Sequence, residues 1–230
     1  MPSITIVMPV LDEAVRIVSA LKALQTLRAD GAEVIVVDGG SCDDTVAFAT
    51  PLADKVIAAR RGRGSQLKAG AALAHGEVLL FLHADTRLPE GAPTLVGGAL
   101  RAGCVWGRFD VRIEGASIWL PVVAALMNRR SRLTGIATGD QAMFATRRAY
   151  ETVGGFPDIA LMEDIELSKR LLKLSSPACL AARVTTSGRR WERHGVWRTI
   201  LRMWWLRLRY FLGADPAQLA SEYGDVPRRP

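Results

Sequence analysis

The sequence predicts an α/β protein built on a mostly parallel sheet. Three observations point there: uncharged apolar runs of strand length, helical segments between them, and acidic or glycine-rich turns closing several of the runs. The plainest run is Val78-Leu79-Leu80-Phe81-Leu82, inside the stretch 76–89. It is long enough for one buried strand and too short for an isolated helix. Continuous runs of this kind suit a parallel sheet covered on both faces. The run stops at His83-Ala84-Asp85-Thr86. In open α/β sheets ligands bind outside the carboxyl ends of the strands. From an extended backbone His83 and Asp85 point the same way and invite a divalent metal; a turn or helix cap suits Asp85 equally.

A first strand is predicted over 4–9, closing in Pro9-Val10-Leu11-Asp12-Glu13. Val15, Val18, Leu21, Leu24 and Leu27 then fall near helical spacing. A second strand over 33–37 closes in Asp38-Gly39-Gly40-Ser41, and 55–58 predicts a short third. Arg60-Arg61-Gly62-Arg63-Gly64-Ser65-Gln66 leads into a helix of small residues ending near His75-Gly76. This alternation predicts βαβ units with right-handed crossovers. After Pro89 the pattern is less regular. An outer strand is expected over 104–113, a helix over 117–130, a strand over 141–145, a turn at Gly154-Gly155-Phe156-Pro157 and a helix from Met162-Glu163-Asp164. The stretch 194–212 is amphipathic: Trp197, Leu201, Trp204, Leu208 and Phe211 share one stripe, and Arg198, Arg202 and Arg209 another, with Trp205 among them. The expectation is that the apolar stripe packs on the domain. A membrane interface, or a wall for a lipid-linked acceptor, is the alternative. The organisation expected is one domain over 1–192 with a helical extension over 193–230 packed upon it.

At 230 residues the chain suits a single large domain. A net charge of +7, much of it between 183 and 209, points to an anionic partner. Zinc-finger spacing and RNA-recognition aromatics are missing, which makes nucleic acid the weakest candidate. Three scattered cysteines suggest a reducing cytoplasm. The start lacks a basic region and Asp12-Glu13 ends its apolar run, so no signal peptide is expected. The longest uncharged stretch, 115–128, is shorter than the ~20 residues of a spanning helix.

Several short stretches carry candidate chemistry. Asp38, beside glycines that admit close backbone approach, suits a ribose or nucleobase edge, although Asp and Gly also make ordinary turns. Neither a G-x-G-x-x-G fingerprint nor a G-K-[ST] loop occurs. Arg60, Arg61 and Arg63 precede a helix whose first amides suit phosphate. Asp140-Gln141 suits a sugar hydroxyl or a cap. Glu163-Asp164 at a helix start is favoured by the dipole alone. Arg190 beside Trp191 offers a planar fork for phosphate.

In order along the chain, Pro9–Glu13, Val37-Asp38-Gly39-Gly40-Ser41, Leu82-His83-Ala84-Asp85, Gly154-Gly155-Phe156, Glu163-Asp164-Ile165-Glu166-Leu167 and Arg190-Trp191 resemble the family 2 glycosyltransferases of GT-A fold. Gly-Arg-Gly-Ser-Gln at 62–66 and Thr-Gly-Ile-Ala-Thr-Gly-Asp-Gln at 134–141 further resemble a bacterial subgroup commonly labelled arsenosugar-biosynthesis glycosyltransferases. The resemblance implies a nucleotide-diphospho-sugar donor and a bridging Mn²⁺ or Mg²⁺. Pro9, Glu13, Asp38, Arg63, Gln66 and Asp85 would then serve the donor, with Asp85 and His83 on the metal. Asp164 would be the general base, Glu163 its positioning partner, and Arg190 would steady the leaving diphosphate. Asp140, Gln141 and Trp191 would meet the acceptor, a hydroxyl-bearing small molecule or lipid-linked compound. Three departures stand out: His83 replaces the first carboxylate of D-x-D, Gly39 the second aspartate of D-D-G-S, and Ser187 the glutamine of Q-x-x-R-W. The function expected is metal-dependent, inverting sugar transfer in the cytoplasm, with peripheral membrane contact through 194–212 as the alternative to packing of that stretch. The alternatives are a catalytically silent nucleotide-sugar-binding or membrane-associated protein, or a nucleotidyltransferase.

Overall fold

The structure is a computed structural model that describes residues 2–223; positions 224–230 of the expected extension lie outside the described residues. In chain order the first half runs β1 (Ile4–Val10), α1 (Ala14–Lys22), α2 (Gln25–Ala29), β2 (Glu33–Asp38), α3 (Thr45–Ala49), β3 (Lys55–Ala58), α4 (Arg63–Ala72) and β4 (Val78–Phe81). It continues with β5 (Thr86–Arg87), α5 (Ala92–Arg101), β6 (Trp106–Glu114), α6 (Leu120–Thr134), β7 (Phe144–Thr146) and α7 (Arg147–Thr152). Last come α8 (Glu163–Leu172), β8 (Ala178–Ser187), α9 (Arg189–His194), α10 (Val196–Phe211) and α11 (Pro216–Tyr223).

The strands order as β3-β2-β1-β4-β7-β6-β8-β5. The first four are mutually parallel, as their apolar runs imply; β7 and β5 run antiparallel to their neighbours. Alternate residues of the parallel strands feed two separate cores. Ile6, Met8, Val34, Val36, Val78 and Leu80 face one side, and Val7, Ile35, Val37, Leu79 and Phe81 the other. Helix α4 comes unusually close to the sheet. A Cβ at Gly70 would lie 2.4 Å from Val7 Cγ1, so only glycine permits this approach. That closeness brings the start of α4 to the carboxyl ends of β1 and β2.

Four expectations change. Val15 is 90% exposed, and the buried face of α1 is Ile17, Ala20 and Leu21. The strand expected at the edge, β6, is interior, flanked by β7 and β8. The strand expected over 141–145 begins at Phe144, because Gln141 closes a 3-10 turn. The fourth concerns α10. Its apolar stripe lies in solvent: Trp197, Leu201 and Trp204 are 60%, 65% and 64% exposed, and Leu208 and Phe211 are exposed too. The face that packs carries Thr199 and Leu206, and Leu206 joins Leu161, Met162, Ile165, Leu219 and Ala220 in a small third core. The extension is therefore held by a different face of the helix, together with α11.

Candidate active site

The carboxyl ends of β1, β2 and β4 meet the start of α4, and two loops are stitched together there. Ser41 Oγ accepts the Asp12 amide at 2.9 Å, Asp12 Oδ1 accepts the Cys42 amide at 2.8 Å, and Thr45 Oγ1 accepts the Glu13 amide at 2.8 Å. Asp38 is buried, and its carboxylate accepts the amides of Gly40 (2.9 Å) and Ser41 (3.0 Å). Its primary work in the structure is to shape the turn. Gln66 Nε2 donates to the carbonyls of both Val10 and Val37, each at 2.8 Å. A donor contact was expected from Gln66; its amide nitrogen is instead committed to the two strand ends. A Cβ at Gly39 would lie 3.0 Å from Gln66 Cδ, so Gln66 fills the space into which a side chain at 39 would project. This gives the missing second aspartate a steric cause.

The ends of β1 and β4 and the start of α4 floor a cavity of about 1300 Å³ lined by Pro9, Glu13, Gln66, His83 and Asp85 below and by α9, α10 and α11 above. Eight arginines line it against five carboxylates, which suits a polyanion. Arg63 joins the two halves of the site: its Nε is 3.1 Å from Glu163 Oε1 across α4 and α8. Glu163 is buried with its second oxygen unpartnered, and burial pushes its carboxyl up despite Arg63. Arg190 lies with its guanidinium 4.2 Å from the centre of the Tyr223 ring, and Arg63 is 6.0 Å from the same ring. The placing of Tyr223 over both guanidiniums was not legible in the sequence.

Asp164 lies in the first turn of α8 behind the cavity wall. Its Oδ2 accepts the Gly139 amide at 2.9 Å and its Oδ1 the amide of Ile165 at 2.7 Å. His83 Nδ1 is 3.6 Å from Asp140 Oδ1. Burial alone would lower His83 and raise Asp140; their pairing reverses both, so His83 titrates above and Asp140 below its ordinary value. The ring is thus engaged with Asp140 while Asp85 opens on the cavity. Among the described residues no group of three or more His, Cys, Asp or Glu is placed to hold a metal. Asp85 therefore leaves one carboxylate open to the cavity, the oxygen donor type that a hard cation takes.

Two residues expected at the acceptor are engaged by the fold itself. Gln141 is fully buried and closes a capping box with Thr138, and Trp191 packs against the main core. Neither they nor Asp140, Glu163, Asp164 and Asp38 border the cavity, whereas Pro9, Glu13, Arg63, Gln66, His83, Asp85 and Arg190 do. Among the described residues, three non-glycine positions adopt left-handed backbone: Asp12, Ala142 and Met162. Asp12 lines the cavity, Ala142 follows the 3-10 turn that Gln141 closes, and Met162 precedes Glu163 at the start of α8.

Residues 5–153 match the model of the family described as "Glycosyl transferase family 2". The chain belongs to that family. Its match ends before Asp164 and Arg190, so the family assignment rests on the strands that floor the cavity. A probable glycosyltransferase of Bacillus subtilis (strain 168), YdaM, is 32% identical over 201 residues, covering 76% of this chain and 47% of that protein. The chain thus spans about half the length of this curated relative. The mannosyltransferase PcManGT of Pyrobaculum calidifontis, solved with GDP-Man and Mn²⁺, superposes with a TM-score of 0.62 at 22% identity, covering 80% of this chain and 56% of that one. Glucosyl-3-phosphoglycerate synthase of Mycobacterium tuberculosis, solved with Mg²⁺ and UDP, gives 0.58 at 23% identity, covering 80% and 70%. The fold of this family 2 chain is GT-A.

Restoring the carboxylate by Gly39→Asp should cost about 1–3 kcal/mol through overpacking against Gln66. In the Gly39→Asp/Gln66→Ala pair the two losses should not add, because the second substitution frees the space the first needs. Denaturant unfolding measures this; strictly additive losses would exclude the steric explanation.

Proposed function

We propose that the protein transfers a sugar from a nucleotide-diphosphate donor to an acceptor hydroxyl with inversion. The observation that carries this reading is the convergence of Arg63, Arg190 and Asp85 on one arginine-rich cavity at the carboxyl ends of β1 and β4, with Arg63 tied through Glu163 to the helix start that carries Asp164 behind the wall. The turn shaped by Asp38, with Pro9 and Glu13 beside it, receives the nucleoside. Arg63 and Arg190 meet the diphosphate, displacing Tyr223 from their faces. Their guanidiniums are aimed where negative charge grows as the leaving group departs. Glu163 positions Arg63 and does not itself react. Asp85, with His83 at its side, would hold a Mn²⁺ or Mg²⁺ that neutralises diphosphate charge when bound.

Asp164 takes the proton from the acceptor oxygen as that oxygen bonds to the anomeric carbon and the diphosphate–sugar bond breaks. A positioned base of this kind contributes about 10²–10⁴-fold. Asp140 faces the acceptor, with Gln141 and Trp191 holding the wall behind it. The protein works in the cytoplasm on the membrane surface. No helix among the described residues is long and apolar enough to cross a membrane. The exposed tryptophan stripe of α10, bordered by Arg198 and Arg202, instead fits an anionic bilayer face.

Asp164→Asn should abolish turnover by about 10²-fold or more while donor-dependent thermal stabilisation persists; full turnover in this variant would refute the base assignment. Asp85→Ala should remove the gain in donor affinity that Mn²⁺ or Mg²⁺ brings, read by calorimetry with UDP-, GDP- and dTDP-sugars. Unchanged metal dependence would rule Asp85 out. Wild type should co-sediment with vesicles containing anionic lipid, and Trp204→Glu/Leu208→Glu should not. Equal behaviour of the two proteins would remove the membrane contact.

A further inference from the structure

Two arginines on the seam between α6 and α10 have no role in the donor site. Arg130 Nε and Nη2 and Arg207 Nε are buried without a hydrogen-bond partner. The two guanidiniums feel each other's charge, and burial and mutual repulsion hold Arg130 down at about 10. The acidic charges that reach them belong to Asp164 and Asp140. Both are already engaged, Asp164 by two backbone amides and Asp140 by His83. Buried N–H groups of a charged guanidinium without an acceptor are costly, and two such guanidiniums close together are more so. Native proteins keep such groups when something else completes them.

The seam also has a direction. Trp119 at the start of α6 lies against Trp197 at the start of α10, ring centres 5.3 Å apart. Arg130 and Arg207 lie about three turns further along the same two helices, one turn past exposed Leu126 and Trp204. We infer that the Arg130–Arg207 seam binds a phosphate group carried by the acceptor, beside Asp164 and beneath the apolar outer faces of α6 and α10. The inference rests on the transferase reading and gives its acceptor a chemical class: a phosphorylated compound whose hydroxyl-bearing part reaches Asp164. Paired guanidinium forks match the oxygens of phosphate, and a seam that is apolar outside and cationic inside suits a phosphate borne on an apolar body.

The test uses the full chain and two readouts. The side-chain Nε–Hε resonances of Arg130 and Arg207, assigned through Arg130→Lys and Arg207→Lys, are followed by NMR. The probes are inorganic phosphate, phosphatidylcholine vesicles, and the same vesicles containing phosphatidic acid. Both resonances should move together and saturably, and Arg207→Met should weaken the response at least tenfold. Movement with inorganic phosphate identifies a soluble phosphorylated acceptor as sufficient; movement only with phosphatidic acid places the phosphate on a lipid. Resonances that stay still with every probe overturn the proposal. The second readout needs no ligand. Because Arg130 Nε and Nη2 and Arg207 Nε are buried without an acceptor, Arg130→Met and Arg207→Met should each raise Tm, by about 2–4 °C for a chain of this size. A fall in Tm in both would make the pair structural and also overturn it. Donor-dependent stabilisation of wild type is read in parallel; its loss would strike the transferase reading and leave the phosphate result standing.

Discussion

The site depends on one side-chain amide. By donating to the carbonyls of Val10 and Val37, Gln66 ties the ends of two adjacent parallel strands to the first turn of α4. Parallel strands leave their terminal carbonyls unpaired where the chain turns away, and a buried carbonyl without a partner is costly. Satisfying both with one amide requires α4 to lie close, and the bare backbone of Gly70 permits that. The loops after β1 and β2 are then locked to each other through Asp12, Ser41, Asp43 and Thr45. The cavity inherits its rigidity from this knot.

The second constraint is electrostatic. Arg63 leaves the knot and reaches Glu163, joining the parallel half of the sheet to the helix that carries Asp164. Glu163 is buried, so this pair is shielded from the screening that weakens surface ion pairs. The last third of the chain, beyond the family match, contributes this helix and the arginine wall of α9 and α10.

The parallel core was legible because continuous apolar runs such as 78–82 admit few other readings, and α4 was legible from its run of small residues. The position of β6 was not, since strand neighbours far apart in sequence leave no local trace. β8 escaped notice because most of its residues are only half-buried and its apolar pattern is broken. The candidate residues divide similarly. Asp85, Arg63 and Arg190 reach the cavity, as strand-end and loop positions suggest. Gln66, Gln141 and Trp191 show the ambiguity of polar and aromatic residues in short motifs, where capping and packing use the same chemistry as binding. For α10, periodicity revealed an apolar face but not its direction. Arg130 and Arg207 were invisible singly, because only folding sets them side by side.

The two flanks of α10 have a kinetic consequence. One flank, with Arg198 and Arg202, walls the cavity, while the outer stripe lies in solvent. A helix seated by that stripe on a bilayer would hold the cavity at a constant height and tilt above the lipid. An acceptor confined to the same bilayer would search in two dimensions instead of three, at an effective concentration set by its surface density. Much of the orientational entropy of the encounter would then be removed before the donor arrives.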